Sequence, residues 1–376
     1  MIKTILLLNP VYVTLFWALV LSFHKRSKHV PKVFLGRFML VAFILYLSHF
    51  FYFTLQYETY YYLDSIYTLA SLLVYPMYHI YVRLLTIDIR FTFKLHGKYL
   101  FLPFIIFMLH ITGYLLMDRE AATHYLIYVL PGQSPGEGLT SYMLIVYQLF
   151  RAAFILQALI YLYLNYRLIV RHNKRLRDFY SNMEGRNLDW VQFFNFTLAI
   201  TSLSSVILAF LGRDAFTEIE FGLVFPSLVF STMLFTIGYL GNIQREINWQ
   251  KEVQKDKEDN TGGSFPAGMK EKLDRLFEKD MIFRNPDLKI WDVCSLLGTN
   301  RTYVSREINK LYGRNFCNHV NHYRIEYARK LIRESGKLDN AEVAELSGFG
   351  SVNSLYRAFQ TFEGKSLGEF RKDYSD

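Results

Sequence analysis

Long runs without a single Asp, Glu, Lys or Arg leave a chain few places to fold. Such runs cover residues 4–24, 38–57, 65–82, 99–117, 190–212 and 221–244, and a seventh, 138–166, is interrupted only by Arg151. The hydrocarbon core of a bilayer takes about 20 apolar residues per helix, with roughly 17–25 tolerated. Each run is long enough, whereas buried helices of a water-soluble domain are shorter and amphipathic. The pattern predicts a bundle of seven transmembrane helices over residues 1–244.

The Lys and Arg set the orientation. Lys25, Arg26, Lys28, Lys32 and Arg37 lie between the first two runs, and Arg83, Arg90, Lys94 and Lys98 between the third and fourth. Arg167, Arg171, Lys174, Arg175, Arg177 and Arg186 lie between the fifth and sixth. The opposite sides hold only Lys3, Arg119 and Arg213. The positive-inside rule then places the N-terminus outside and everything after residue 244 in the cytoplasm. The cluster Lys25–Lys28 follows the first run rather than preceding it, and no A-x-A-like site is evident, so this run reads as an uncleaved anchor.

Arg151 is the one strongly ionisable group deep in a run, and such a group in lipid is a functional candidate by default. It suits an anionic ligand entering from outside, or a structural pair with Asp64 or Glu220 near the outer ends of spans three and seven. His49, His79, His110, Gln148 and Gln157 suit interhelical hydrogen bonds. Of these, His110 stands with Arg151 as a candidate ligand contact. Their isolation argues against a metal centre or a proton relay. Tyr57, Tyr60, Tyr61 and Tyr62 read as interface anchors. In the outer connection 118–139, the apolar piece Tyr125–Leu130 suits the membrane surface or a cover over a cavity.

Past residue 244 the material changes. Residues 1–241 hold 19 Lys and Arg against 12 Asp and Glu, while 242–376 hold 23 against 21. The region 245–265, with Asn260-Thr261-Gly262-Gly263-Ser264, reads as a helical stalk and a flexible linker. The two cysteines, Cys294 and Cys317, have no metal-ligand spacing and read as small buried apolar groups, with no disulfide and no zinc. No cofactor is expected. The chain lacks Walker, HExxH and GxSxG motifs, which argues against an enzyme.

Residues 266–376 read as a soluble helical domain. Asp292–Leu297, the turn Gly298-Thr299-Asn300 and Arg301–Leu311 have the cadence of a helix-turn-helix. Val304, Ile308 and Leu311 fall at i, i+4 and i+7, and are expected to pack on Val293, Leu296 and Leu297. Arg301, Thr302, Ser305, Arg306 and Asn309 then face away, as a helix reading the major groove requires. The arrangement recurs about 51 residues later in Ala341–Leu346, Gly348-Phe349-Gly350 and Ser351–Phe362. There Leu355, Phe359 and Phe362 point inward, while Val352, Asn353, Tyr356, Arg357 and Gln360 are left outward. A helix over Phe316–Ser335, roughly 30 Å long, would join the two units. That length compares with the roughly 34 Å between adjacent major-groove faces.

These residues resemble the AraC-type DNA-binding domain. Gly348-Phe349, Ser351, Arg357, Phe359, Gly364, Ser366, Glu369, Phe370 and Arg371 keep the register of its signature. Tyr303-Val304-Ser305-Arg306, Gly313, Phe316, Arg324 and Ala328 match its first half. Leu367 stands where the family usually has Pro, which predicts a looser last helix, and Gln360 stands where Lys is common. The resemblance implies base reading by Thr302, Ser305 and Arg306 in the first unit and by Asn353 and Arg357 in the second. Arg301, Lys310 and Ser351 suit backbone phosphate.

Fused to seven spans, the domain resembles the membrane-integral AraC-type regulators of bacteria. That implies a one-component transcription regulator in the cytoplasmic membrane, with double-stranded DNA, the bilayer and an unknown small-molecule or envelope signal as partners. A homodimer is compatible with it. The alternative is a transporter or ligand-binding membrane protein whose tail recruits partners, although no internal repeat is evident. Residues 266–376 carry 19 basic against 16 acidic residues, so DNA affinity would rest on placed side chains rather than bulk charge.

Overall fold

The computed structural model describes residues 2–23, 30–88, 90–211, 224–244, 268–334 and 338–372, and among them the chain is all-helical. The first part holds α1 (Ile2–Leu7), α2 (Asn9–Ser22), α3 (Val30–Phe53), α4 (Tyr57–Thr86) and α5 (Phe93–Leu116). There follow α6 (Arg119–His124), α7 (Leu139–Phe179), α8 (Asp189–Leu211) and α9 (Val224–Ile243). The described part of each of the seven runs falls mainly on this set. Among the described residues four helices, α3, α5, α7 and α9, are long and apolar enough to cross a membrane, while α2 has only 14 residues. Glu220, Arg213, the cluster at 25–28 and the stalk and linker 245–265 lie outside the described residues.

The chain divides into two compact units, Met1–Val170 with Leu188–Glu246 and Arg171–Asn187 with Ile247–Asp376. In the first, one core joins Trp17 and Leu21 of α2, Phe34, Leu35 and Met39 of α3, Tyr78 and Ile80 of α4 and Phe194 of α8. Backbones approach closely where Gly occurs: a Cβ on Gly238 would sit 2.3 Å from the Trp17 ring. Small residues at helix crossings are the packing device used in lipid, where no hydrophobic force drives helices together. Large apolar side chains such as Phe16, Phe101, Ile145, Leu159 and Phe225 stay exposed. Water would penalise that surface and a bilayer would not.

Three histidines of this unit, His49, His79 and His110, cross-link helices, as expected of them singly. His49 Nε2 lies 3.3 Å from Tyr67 Oη, and His79 Nδ1 lies 2.7 Å from Asn165 Oδ1. Tyr60 departs from the anchoring role: it is buried and donates to Asp64 Oδ1 at 2.7 Å, because i and i+4 meet on one helical face. Tyr125–Val129 forms a π-helical turn after α6 and buries Tyr125, Leu126 and Val129 beside Tyr60, Tyr114 and Met143. It thereby covers that cluster.

The second unit begins with α10 (Met269–Asp274), extended by a π-helical turn at Arg275–Lys279, and a short 3-10 turn at Ile282–Arg284. Then come α11 (Ile290–Leu297), α12 (Arg301–Tyr312), α13 (Phe316–Glu334), α14 (Asn340–Leu346), α15 (Val352–Glu363) and α16 (Leu367–Lys372). One core gathers Val293, Leu297, Val304, Ile308, Phe316 and Val320, and takes in Leu176, Phe179 and Tyr180 from the end of α7. A second gathers Ile325, Ala328, Val343, Phe349, Leu355, Phe359, Leu367 and Phe370. The 19 residues of α13 span about 28 Å and supply side chains to both.

Three expectations about these cores are corrected. Leu296 is 59% exposed and Leu311 36% exposed. The core is built from Phe277, Phe316 and the α7 residues, and neither leucine belongs to it. Val352 packs partly against the second core instead of facing outward. Leu367, where the family usually has Pro, is buried at the start of α16 and belongs to the second core.

His319 of α13 is enclosed by the rings of Phe277, Tyr312 and Tyr323. Burial, then the neighbouring Arg314 and His322, lowers its pKa from 6.5 to about 4. Because the folded value is depressed below the unfolded one, the neutral ring favours folding above pH 6.5. That contribution is lost as the pH falls from 6.5 towards 4, by up to about 3 kcal/mol. Pulse proteolysis of the 269–372 region in denaturant should show this loss in the wild type and a flatter profile in His319→Phe. Parallel profiles would refute it.

Candidate nucleic-acid interface

Each helix-turn-helix is built from local backbone chemistry. In the first, α11 ends on Gly298 at φ +61°, and the Asn300 side chain caps α12 by accepting from the Tyr303 backbone N–H at 3.1 Å. In the second, Asp339 and Glu342 form a reciprocal capping box on α14. Ser351 caps α15, its Oγ accepting from Ser354 N–H at 3.2 Å. Gly313 and Gly364 stop the two helices in the left-handed conformation at φ +64° and +70°. Asn300 and Ser351, and likewise Gly313 and Gly364, repeat the 51-residue spacing seen in the sequence.

Gly348 is held by more than its conformation. Its φ is +81°, and a Cβ there would lie 2.5 Å from the Phe283 carbonyl oxygen and 2.6 Å from Arg284 Cα. The turn of the second helix-turn-helix motif therefore rests on backbone that leads into the first motif.

Between the two helix-turn-helix motifs lies Arg324, only 1% exposed. Its Nε donates to the Phe283 carbonyl at 2.8 Å, and one Nη donates to the Asn285 carbonyl at 2.7 Å and to Ser181 Oγ at 3.1 Å. The guanidinium also faces the Phe349 ring at 5.7 Å. Burial lowers its pKa to about 10, so it stays charged at neutral pH.

On α12, Thr302, Arg306 and Lys310 are exposed and Ser305 is half-buried. The Arg306 side chain is 58% exposed, lies 5.2 Å from the centre of the Tyr303 ring and is 3.8 Å from Glu307. On α15, Asn353 and Arg357 are exposed, and Arg357 Nε donates to the Asn353 carbonyl at 3.3 Å. The structure thus brings Thr302, Ser305 and Arg306 onto one helix face and Asn353 and Arg357 onto another. Two expected phosphate contacts are engaged within the chain. Arg301 stacks at 4.5 Å on Phe179, and Ser351 Oγ donates to Glu184 at 2.6 Å.

Residues 178–186 had no place in the sequence reading of this site. Ser181 donates through Oγ to the Leu288 carbonyl at 2.6 Å and accepts from Cys317 Sγ at 3.4 Å. Tyr180 forms an antiparallel bridge with Lys289. Arg186 faces the Tyr180 ring at 4.9 Å and pairs with Asp287 at 3.5 Å. Burial raises the Asp178 carboxyl above its usual range, against the pull of Arg301 and Lys174. Arg171, Lys174, Arg175 and Arg177 precede the segment and Arg186 ends it, so its local signal was that of a cytoplasmic loop.

The ligand candidates fall elsewhere and apart in role. His110 is buried, with Nδ1 at 3.0 Å from Ser65 Oγ and Nε2 at 3.6 Å from Asp64. Asp64 also accepts from Tyr60 and from Tyr114 at 2.6 Å. Arg151 lies 5.8 Å from the centre of the Tyr147 ring.

A family model described as a helix-turn-helix domain matches residues 293–373, which takes in both helix-turn-helix motifs and supports an AraC-type DNA-binding domain. No curated protein and no solved structure matches the chain.

Proposed function

We propose that this chain is a membrane-tethered transcription regulator that reads DNA through α12 and α15 and is controlled by a signal sensed in its membrane region. The observation that carries the reading is the paired presentation of Arg306 and Arg357, exposed at equivalent positions of two capped helices within the matched domain. Thr302 and Ser305 accompany Arg306, and Asn353 accompanies Arg357, as base-reading side chains. Lys310, Arg301 and Ser351 hold the phosphate backbone. Four apolar helices of membrane length support multi-pass insertion in the cytoplasmic membrane, and the loop charges support an N-terminus outside. Arg151 and His110 are the first residues to test for a ligand.

Mobility shifts with the full-length protein in detergent, at fixed salt, test the DNA claim. Arg306→Ala and Arg357→Ala should each weaken binding to a selected duplex by about 1–3 kcal/mol and relax specificity at a few base pairs. Lys310→Ala should weaken all sequences alike and lower the salt slope by about one. Binding that is sequence-independent and unmoved by both arginine variants would sink the reading.

A further inference from the structure

We infer that Asp178–Glu184 is a built-in competitor for the DNA backbone, and that the second unit engages DNA only after Glu184 leaves α15. This rests on the reading of α12 and α15 as the DNA-contacting helices.

The N-terminal turn of a helix offers orphan N–H groups and a positive dipole end, and favours an anion. At α15 the donors that would meet a phosphate include the Ser351 and Ser354 hydroxyls. Both already donate to one carboxylate oxygen, Glu184 Oε2, at 2.6 and 3.0 Å. A hydroxyl has a single donor hydrogen, so a phosphate cannot take either bond while Glu184 holds it. Like charges also exclude a phosphate from the site that the carboxylate fills.

The same segment reaches the first unit. Phe179 lies under the Arg301 guanidinium at 4.5 Å, and Asp178 is close enough for Arg301 to pull its raised pKa back down. Asn182 presses on the turn before α15, where a Cβ on Gly350 would fall 2.4 Å from its Nδ2. One stretch of seven residues thus occupies the N-terminal ends of both reading helices. Its root is secured separately, by Ser181 on Leu288 and by Arg324 on Ser181. Glu184 can therefore exchange for a phosphate while the root stays attached.

The segment is also the covalent link between α7 and α8. A signal that shifts either helix therefore acts on Glu184 directly, without passing through residues 245–265. With Glu184 on α15 the protein is held in a low-affinity state, and the shift needed is only that of one side chain and its loop.

The test uses the full-length protein in detergent and a randomised duplex of about two helical turns. Glu184→Gln keeps the shape and removes the charge, and should bind about 3- to 30-fold tighter than wild type at equal salt. Arg357→Ala should bind more weakly than wild type. Hydrogen exchange on the wild type gives a second readout: with duplex bound, amides in 180–187 should lose protection while α12 and α15 gain it. If Arg357→Ala binds weakly but Glu184→Gln matches wild type, or 180–187 stays equally protected with DNA, the competitor is refuted and DNA reading stands. If no form binds duplex, Glu184→Gln included, both fall.

Discussion

Arg324→Met is expected to unfold the second unit locally, at a cost of about 3–5 kcal/mol. Methionine fills much of the volume but donates nothing. The Phe283 and Asn285 carbonyls then remain buried without the guanidinium that satisfies them, and Ser181 loses its tie to α13. Removing the buried charge returns part of the cost, since burial already strains it enough to lower its pKa to about 10. Arg324→Lys should recover little, because an ammonium cannot reach three acceptors arranged for a planar fork. Hydrogen exchange on the full-length protein gives the answer, with peptides over 281–290 and 178–186 losing protection together. Unchanged protection in both would overturn the keystone role. Loss in one alone would show that Arg324 braces only that segment.

Gly348→Ala is expected to cost about 2–5 kcal/mol, from two sources that add. A side chain at φ +81° pays for the left-handed conformation, about 1–2 kcal/mol. Its Cβ also meets the Phe283 oxygen and Arg284 Cα, which are backbone atoms and cannot swing aside; such overpacking costs about 1–3 kcal/mol. Gly364→Ala is the internal control. Its φ is +70°, yet nothing lies within 4 Å of the added carbon, so only the conformational part, about 1–2 kcal/mol, should appear. Equal losses in the two variants, measured by denaturant unfolding of the 269–372 region, would show that the close approach contributes nothing. Because Gly348 shapes the turn before α15, its alanine variant should also weaken DNA binding without touching a DNA-contacting side chain.

Much of the fold was legible because its signals are local. Charge-free runs mark helices wherever they fall, and Asn300, Ser351, Gly313 and Gly364 announce helix ends one residue at a time. The i, i+4 positions Val304 and Ile308, and Leu355 and Phe359, are buried as their spacing predicts. The failures came at i+7 and at helix ends. Leu311 and Leu296 satisfy the period, but whether a seat exists depends on neighbours from α10, α13 and the end of α7. Tyr60 failed for a related reason: a tyrosine at a membrane boundary reads as an anchor until a carboxylate one turn away takes its hydroxyl.

The candidate reading face was equally legible, since it is what remains after the apolar positions of two short helices are turned inward. Its occupation was not. Glu184 sits among arginines in a loop that any charge count assigns to membrane topology, and Ser351 stands 167 residues further on. By itself the sequence determined the helices, their caps, the repeated helix-turn-helix and the partition of charge, because each depends on residues within a few turns of one another. Only the tertiary structure decided that residues from 171–187 complete the first core of the helix-turn-helix unit and hold the N-terminal ends of α12 and α15. Burial, hydrogen bonding and competition for a donor depend on distance in space, and a linear pattern carries no measure of that distance across 167 residues.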